Sequence, residues 1–207
     1  MFKKFIAFSL AEVLLVAGIA AVVGAMTIPN MKKSYEKKAR IAKAKTTFAT
    51  LDGAISQLDY TKILRGNATT EKRSLAMLTE LKDKVQFRYV CGVQKSPAAC
   101  FKTTTFNDSS KKSDTLNIND VYHTLRAQKR YCSSAIMKSG PEVAICFANG
   151  TPNNDGIYRD FYGFIIVDVD GAVKGSSTRG EDVFVFNIGT SGLSYFPNSM
   201  EANLLDN

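Results

Sequence analysis

Glu12 is the only charge in the apolar run from Phe8 to Pro29, FSLAEVLLVAGIAAVVGAMTIP. An ionised carboxylate in a membrane helix costs up to about 3 kcal/mol near the bilayer centre and less near an end, so a Glu in such a place is a candidate for function and calls for a positive partner. The other residues whose types could do chemistry lie far along the chain. Asp168, Asp170, Glu181 and Asp182 sit in VDVDGAVKGSSTRGEDVFVF and could converge on a calcium ion if that segment folds back on itself. The competing reading is that Asp170-Gly171 makes a tight turn with positive φ and that the others are solvated charges at strand ends. Four cysteines, Cys91, Cys100, Cys132 and Cys146, are even in number and suit an oxidising compartment. Of the three possible pairings, Cys91 with Cys100 and Cys132 with Cys146 closes two short loops and is the one expected, each bridge contributing roughly 2–4 kcal/mol. Zinc is disfavoured, because no CxxC pair is present and the single histidine, His123, has no spaced partner. The same shortage argues against a Ser-His-Asp arrangement, and neither GxSxG nor a glycine-rich phosphate loop is present, so no enzymatic activity is expected.

The positive partner of Glu12 is suggested by the residues ahead of it. A stub carrying Lys3 and Lys4 leads to Ala7, Phe8, Ser9 and Leu10, and a cut between Ala7 and Phe8 leaves a free amine on Phe8, one helical turn before Glu12. In this order, and followed by VLLVAGIAAVVGAMTIP, these residues resemble the N-terminal motif of type IV pilins and type II secretion pseudopilins. That motif is a short basic leader, a small residue at the cut, Phe, Thr or Ser, Leu, a variable residue and Glu, then an apolar stretch. Ala7 stands where the family usually has Gly, and Pro29 falls where many pilins also have a proline. The resemblance covers about thirty of the 207 residues. It implies cleavage at Ala7–Phe8 by a prepilin peptidase, methylation of the Phe8 amine, and assembly through Glu12. It also implies partners: other copies of the chain, other pilin-like subunits and an inner-membrane assembly platform. The chain would first be a single-pass protein of a bacterial inner membrane with its N-terminus cytoplasmic, then a subunit of an extracytoplasmic pilus or secretion filament. No cofactor follows from it beyond the calcium that some pseudopilins hold in their C-terminal region, here on Asp168, Asp170 and Asp182. Physically, a helix N-terminus carries about half a positive charge and a free amine adds another, so a carboxylate one turn along offsets both. Between helices packed away from water, pairing of that amine with Glu12 of a neighbour would favour one axial register.

Two simpler readings share the same residues. One is a secretory signal peptide cut after Ala25, although the apolar run exceeds the usual length of such a signal and Glu12 does not suit it. The other is a plain single-span anchor, since about 22 apolar residues at about 1.5 Å each cover the hydrocarbon core. The corresponding alternative function is a signal-anchored extracytoplasmic binding protein that never polymerises. Lys32, Lys33, Lys37, Lys38, Arg40, Lys43 and Lys45 crowd the far side of the span, which by the positive-inside rule alone would hold the body in the cytoplasm. Large domains translocate largely regardless of charge, and the cysteines favour the outside, so the body is expected there. With a net charge of +8, the basic row from Lys37 to Lys45, joined by Lys111, Lys112, Arg126, Lys129 and Arg130, could also meet the phosphates of DNA. The competing role for these charges is contact with lipid headgroups and with acidic residues of neighbours.

The elements that must position these residues divide the chain into a leader, 1–7, an assembly half of a long helix, 8–30, and a head, 31–207. Beyond Met31 the helix should continue, because Ile41, Ala44, Phe48, Leu51, Ile55 and Leu58 recur at three- and four-residue steps and form one apolar face. It should end between Tyr60 and Gly66, with a kink or a loosened turn at Pro29. A second helix is predicted over 71–87, capped by Thr70 and buried through Leu75, Leu78, Leu81 and Val85. The stretch from Cys91 to Cys100 reads as a loop, Thr103 to Thr115 as an exposed loop, and Ile118 to Tyr131 as a short helix. Runs over 143–147, 161–169, 183–188 and 193–196 are β-branched or aromatic, separated by glycine turns whose short links force antiparallel neighbours. The fold class expected is α+β and pilin-like, a long N-terminal hydrophobic helix continuing into a globular head with a C-terminal antiparallel sheet.

Overall fold

A computed structural model of the chain describes residues 9–64, 69–94, 100, 105–108, 115–117, 132–147, 162–171, 178–189, 191–195 and 200–205. The chain divides into two compact units, Met1–Ala39 and Arg40–Asn207. The first consists, where described, of the N-terminal part of helix α1, which runs from Leu10 to Ile55 and passes through Pro29 without interruption. Its apolar side chains are exposed: Leu10, Leu14, Val16, Ile19, Val22, Met26 and Ile28 are all more than half exposed. The hydroxyl of Thr27 donates to the Val23 carbonyl at 2.9 Å and so is satisfied inside the helix, as an apolar surrounding requires. This is one helix long and apolar enough to cross a membrane, with a mean hydropathy of 2.2 over its most apolar window.

The second unit begins on the same helix, whose later turns are amphipathic. Ala44, Leu51 and Ile55 are fully buried and Ile41 and Phe48 pack against the core, as the spacing predicts. The helix stops at Ile55, short of the expected end. The amides of Gln57 and Leu58 tighten onto the carbonyls of Ala54 and Ile55, and a separate short helix, α2, covers Tyr60–Leu64. Helix α3 spans Thr70–Leu81, with Thr69 rather than Thr70 as its cap, the Lys72 amide donating to the Thr69 hydroxyl at 3.3 Å. Its buried face is Ser74, Met77, Leu78 and Leu81, whereas Leu75 is 42 % exposed. The helix closes there because the Lys82 amide reaches back to Leu78 and Thr79, and the residues beyond belong to the sheet.

That sheet is larger than the C-terminal third. Among the described residues it has nine strands: β1 Phe87–Gln94, β2 Thr105–Asp108, β3 Thr115–Asn117, β4 Cys132–Met137, β5 Glu142–Phe147, β6 Gly163–Asp168, β7 Thr178–Arg179, β8 Val183–Gly189 and β9 Gly192–Ser194. Their order is β1-β4-β5-β6-β8-β7-β2-β3, with β9 pairing β8. All pairs are antiparallel except the short β2–β7 and β7–β8 contacts. Three strands correct the sequence reading: β1 replaces the end of a helix and the start of a loop, β2 lies in the stretch expected to be an exposed loop, and β3 starts at the last residue of that stretch, Thr115. A fourth, β4, had no sequence counterpart, because CSSAIM carries two serines where an apolar alternation would be sought. The helix expected over 118–131, with His123, lies outside the described residues. A short helix, α4, covers Met200–Leu205.

The central strands β5 and β6 are buried at every position and β8 at most. Their alternation sends Val143, Ile145, Phe147, Ile165, Val167, Phe184, Phe186 and Ile188 to the core shared with α1 and α3. Phe48 of α1 meets Phe186 edge-on at 4.9 Å between centroids and stacks on Tyr195 at 4.8 Å. Gly163 is required at the start of β6, where a Cβ would meet the Cys146 carbonyl and lie 2.9 Å from the Phe147 Cα.

Candidate functional site

Glu12 stands in the first turn of α1, and its partner within the chain is Ser9. The Ser9 amide and hydroxyl donate to Glu12 Oε2 at 2.9 and 3.0 Å, and the Glu12 amide donates to the Ser9 hydroxyl at 3.3 Å. This is a reciprocal capping box, which satisfies amides that the helix start leaves unpaired. The signal was present as Ser-x-x-Glu before an apolar run, and sequence reasoning that sought a partner for a membrane charge passed over it. Oε1 has no partner among the described residues. Ala7 and Phe8, the expected cleavage and methylation positions, lie outside the described residues.

Two members of the basic row are engaged inside the second unit. Arg40 Nε pairs with Asp170 Oδ2 at 2.5 Å, and Lys43 Nζ donates to the Val169 carbonyl. Lys37 and Lys38 remain exposed, and Lys45 is half-buried. Lys111, Lys112, Arg126, Lys129 and Arg130 lie outside the described residues. The row is therefore divided in use, and fewer of its charges face solvent than its spacing suggests.

Two acidic residues of the C-terminal segment, Asp168 and Asp182, accept from backbone amides. Asp168 Oδ1 accepts from the amides of Asp170 (3.1 Å) and Gly171 (2.8 Å), a local Asx arrangement, with Gly171 at a φ of 73°. Asp182 Oδ1 accepts from the Thr178 amide at 2.6 Å, and Glu181 is exposed. Asp168 and Asp182 are fully buried, which suits carboxylates held by amides. Among the described residues no three acidic, histidine or cysteine side chains gather as a metal-holding group.

The cysteines form two bridges, Cys91 to Cys100 and Cys132 to Cys146, with Cα atoms 5.5 and 4.3 Å apart. The second joins residues directly opposite each other on β4 and β5. Next to it the serines that obscured β4 are paired: the Ser133 hydroxyl donates to that of Ser74 at 3.0 Å, and the Ser134 hydroxyl accepts from the Cys100 amide at 3.4 Å. Asp52, which no motif singled out, ties α1 to the start of β9. Its Oδ1 accepts from the Leu193 amide at 2.7 Å, beside Gly192, whose φ is 134°. Comparison of the chain with protein-family models, with curated proteins and with solved structures finds no match.

Proposed function

We propose that this chain is a structural subunit of a type IV pilus or type II secretion filament, anchored by α1 before assembly and polymerised through it afterwards. The observation that carries this reading is the uncovered apolar surface of the first unit with one carboxylate in its first turn. Such a surface requires a bilayer or neighbouring helices, and Glu12, which caps its own helix through Oε2, keeps a second oxygen for a positive partner from a neighbour. The motif from Lys3 to Glu12 supports the same reading. In the proposed assembly a peptidase cuts between Ala7 and Phe8, the Phe8 amine is methylated, and the amine of an incoming subunit meets Glu12 of its neighbour. Oε2 can go on capping its own helix while Oε1 accepts the new amine. The α+β architecture and the two bridges suit an extracytoplasmic head. N-terminal sequencing of the mature protein tests the reading. Methylated Phe8 is the expected result; Met26 would mean an ordinary secreted protein, and Met1 a static anchor.

A further inference from the structure

A cleft of about 490 Å³ opens in the second unit between α1, the segment leading into β1, and the turn between β4 and β5. Its volume lies in the range of small-molecule sites. Lysines stand on all three walls: Lys43 from the helix, Lys84 from the segment before β1, and Lys138 from the turn, while among the described residues no Asp or Glu lines it. Val85 and Met137 are its buried apolar residues. The turn is fixed to the segment before β1, since the Lys138 amide donates to the Gln86 carbonyl at 2.9 Å, and the Gly140 amide closes the turn on Met137 at 2.9 Å. Lys43 spends one proton on the Val169 carbonyl and keeps two.

Thr47 supplies an independent observation. The neighbouring helix threonines turn their hydroxyls back on the backbone, Thr46 to Ala42 at 3.0 Å and Thr50 to Thr46 at 2.8 Å. Thr47 is 3 % exposed, lines the cleft, and has no hydrogen-bond partner for its hydroxyl among the described residues. With no partner among the described residues, this hydroxyl opens to the cleft, where it can donate to a ligand oxygen.

We propose that this cleft binds a phosphate group, carried either by a small soluble molecule or by a lipid headgroup, with the ammonium groups of Lys43, Lys84 and Lys138 as its charge partners and the Thr47 hydroxyl as a fixed donor. Phosphate matches convergent donors from separate walls because its oxygens point in several directions and its charge is multiple. Such binding requires no filament and is tested separately from assembly.

The experiment follows amide signals of Thr47, Gln86 and Ser139 by NMR, with the full chain in neutral detergent micelles titrated with inorganic phosphate. These signals should shift saturably, and chloride at equal ionic strength should leave them in place. Lys84→Gln combined with Lys138→Gln should weaken binding about tenfold or more, and Thr47→Val, which keeps the side-chain volume, about tenfold. A parallel arm places the chain in nanodiscs of phosphatidylcholine with or without phosphatidylglycerol. Shifts that need phosphatidylglycerol and do not occur with inorganic phosphate assign the group to a lipid; shifts with inorganic phosphate assign it to a soluble ligand. Absence of shifts in both arms, or shifts that persist unchanged in the double lysine variant, would overturn the proposal.

Discussion

Tyr60 shows how one side chain can carry a measurable pH dependence. It stacks on Tyr162 at 4.7 Å, and its hydroxyl is buried without a partner among the described residues. Burial first, then the proximity of Tyr162 and Asp52, pushes its phenol well above the ordinary value of 10.0. Below about pH 10 the folded and unfolded chains both hold this proton, and the group adds no pH dependence. Above that pH the unfolded chain releases it first, so stability falls as pH rises. Tyr60→Phe should remove this alkaline loss and, by deleting an unpaired buried hydroxyl, leave stability at pH 7 unchanged or raised by about 1 kcal/mol. Urea denaturation at pH 7 and above pH 10 checks both. Ser9 and Glu12 illustrate a different point at the same scale: a carboxylate that reads as an exposed membrane charge is held locally by a serine three residues away. That pairing was legible as Ser-x-x-Glu, whereas the Asp52 contact with Leu193 was not, because nothing in sequence links residues so far apart.

Among elements, the joints carry most of the consequence. Asp52 secures α1 to the start of β9, so Asp52→Ala should cost about 1–2 kcal/mol by leaving the Leu193 amide unpaired. Gly192→Ala should cost at least as much, since its φ of 134° disfavours a side chain and a Cβ there would meet the Asp52 carboxylate. Both are measured as midpoints in urea. The β4–β5 bridge closes a separation of 14 residues and the Cys91–Cys100 bridge one of 9. Replacing Cys132 and Cys146 together by serine should lower stability by about 3 kcal/mol, and the Cys91 and Cys100 pair by slightly less. Equal loss from full reduction of the wild-type chain and from the four-serine variant would confirm that the bridges act through the chain's connectivity. The strands β5, β6 and β8 were visible in sequence because residues buried on both faces leave a continuous apolar run. Strand β1 sits at the edge of the sheet, and register shifts near Tyr89 and Gly92 interrupt it, which protects an edge from pairing with another chain and also blurs its sequence pattern.

For the whole molecule, the decisive contrast is between a unit with its own core and one without. The second unit buries its apolar residues on itself, whereas the first leaves them exposed, and in the proposed assembly lipid and then other helices cover them. On the proposed function, Glu12→Ala should leave the protein inserted and its second unit folded, with both bridges formed, while filaments are lost. Electron microscopy of sheared surface material, together with membrane fractionation, reads the two outcomes apart, and normal filaments from this variant would refute the assembly role. The sequence by itself determined the apolar span, the single carboxylate in it, the amphipathic continuation of α1 and the buried central strands, because each is written in local periodicity. Only the tertiary structure decided that Arg40 and Lys43 bind the β6 end, that polar segments complete the sheet, that Asp52 joins helix to hairpin, and that Lys43, Lys84 and Lys138 face one cleft. Those are contacts between residues distant in sequence, and their partners are set by how the elements pack, which no local pattern encodes.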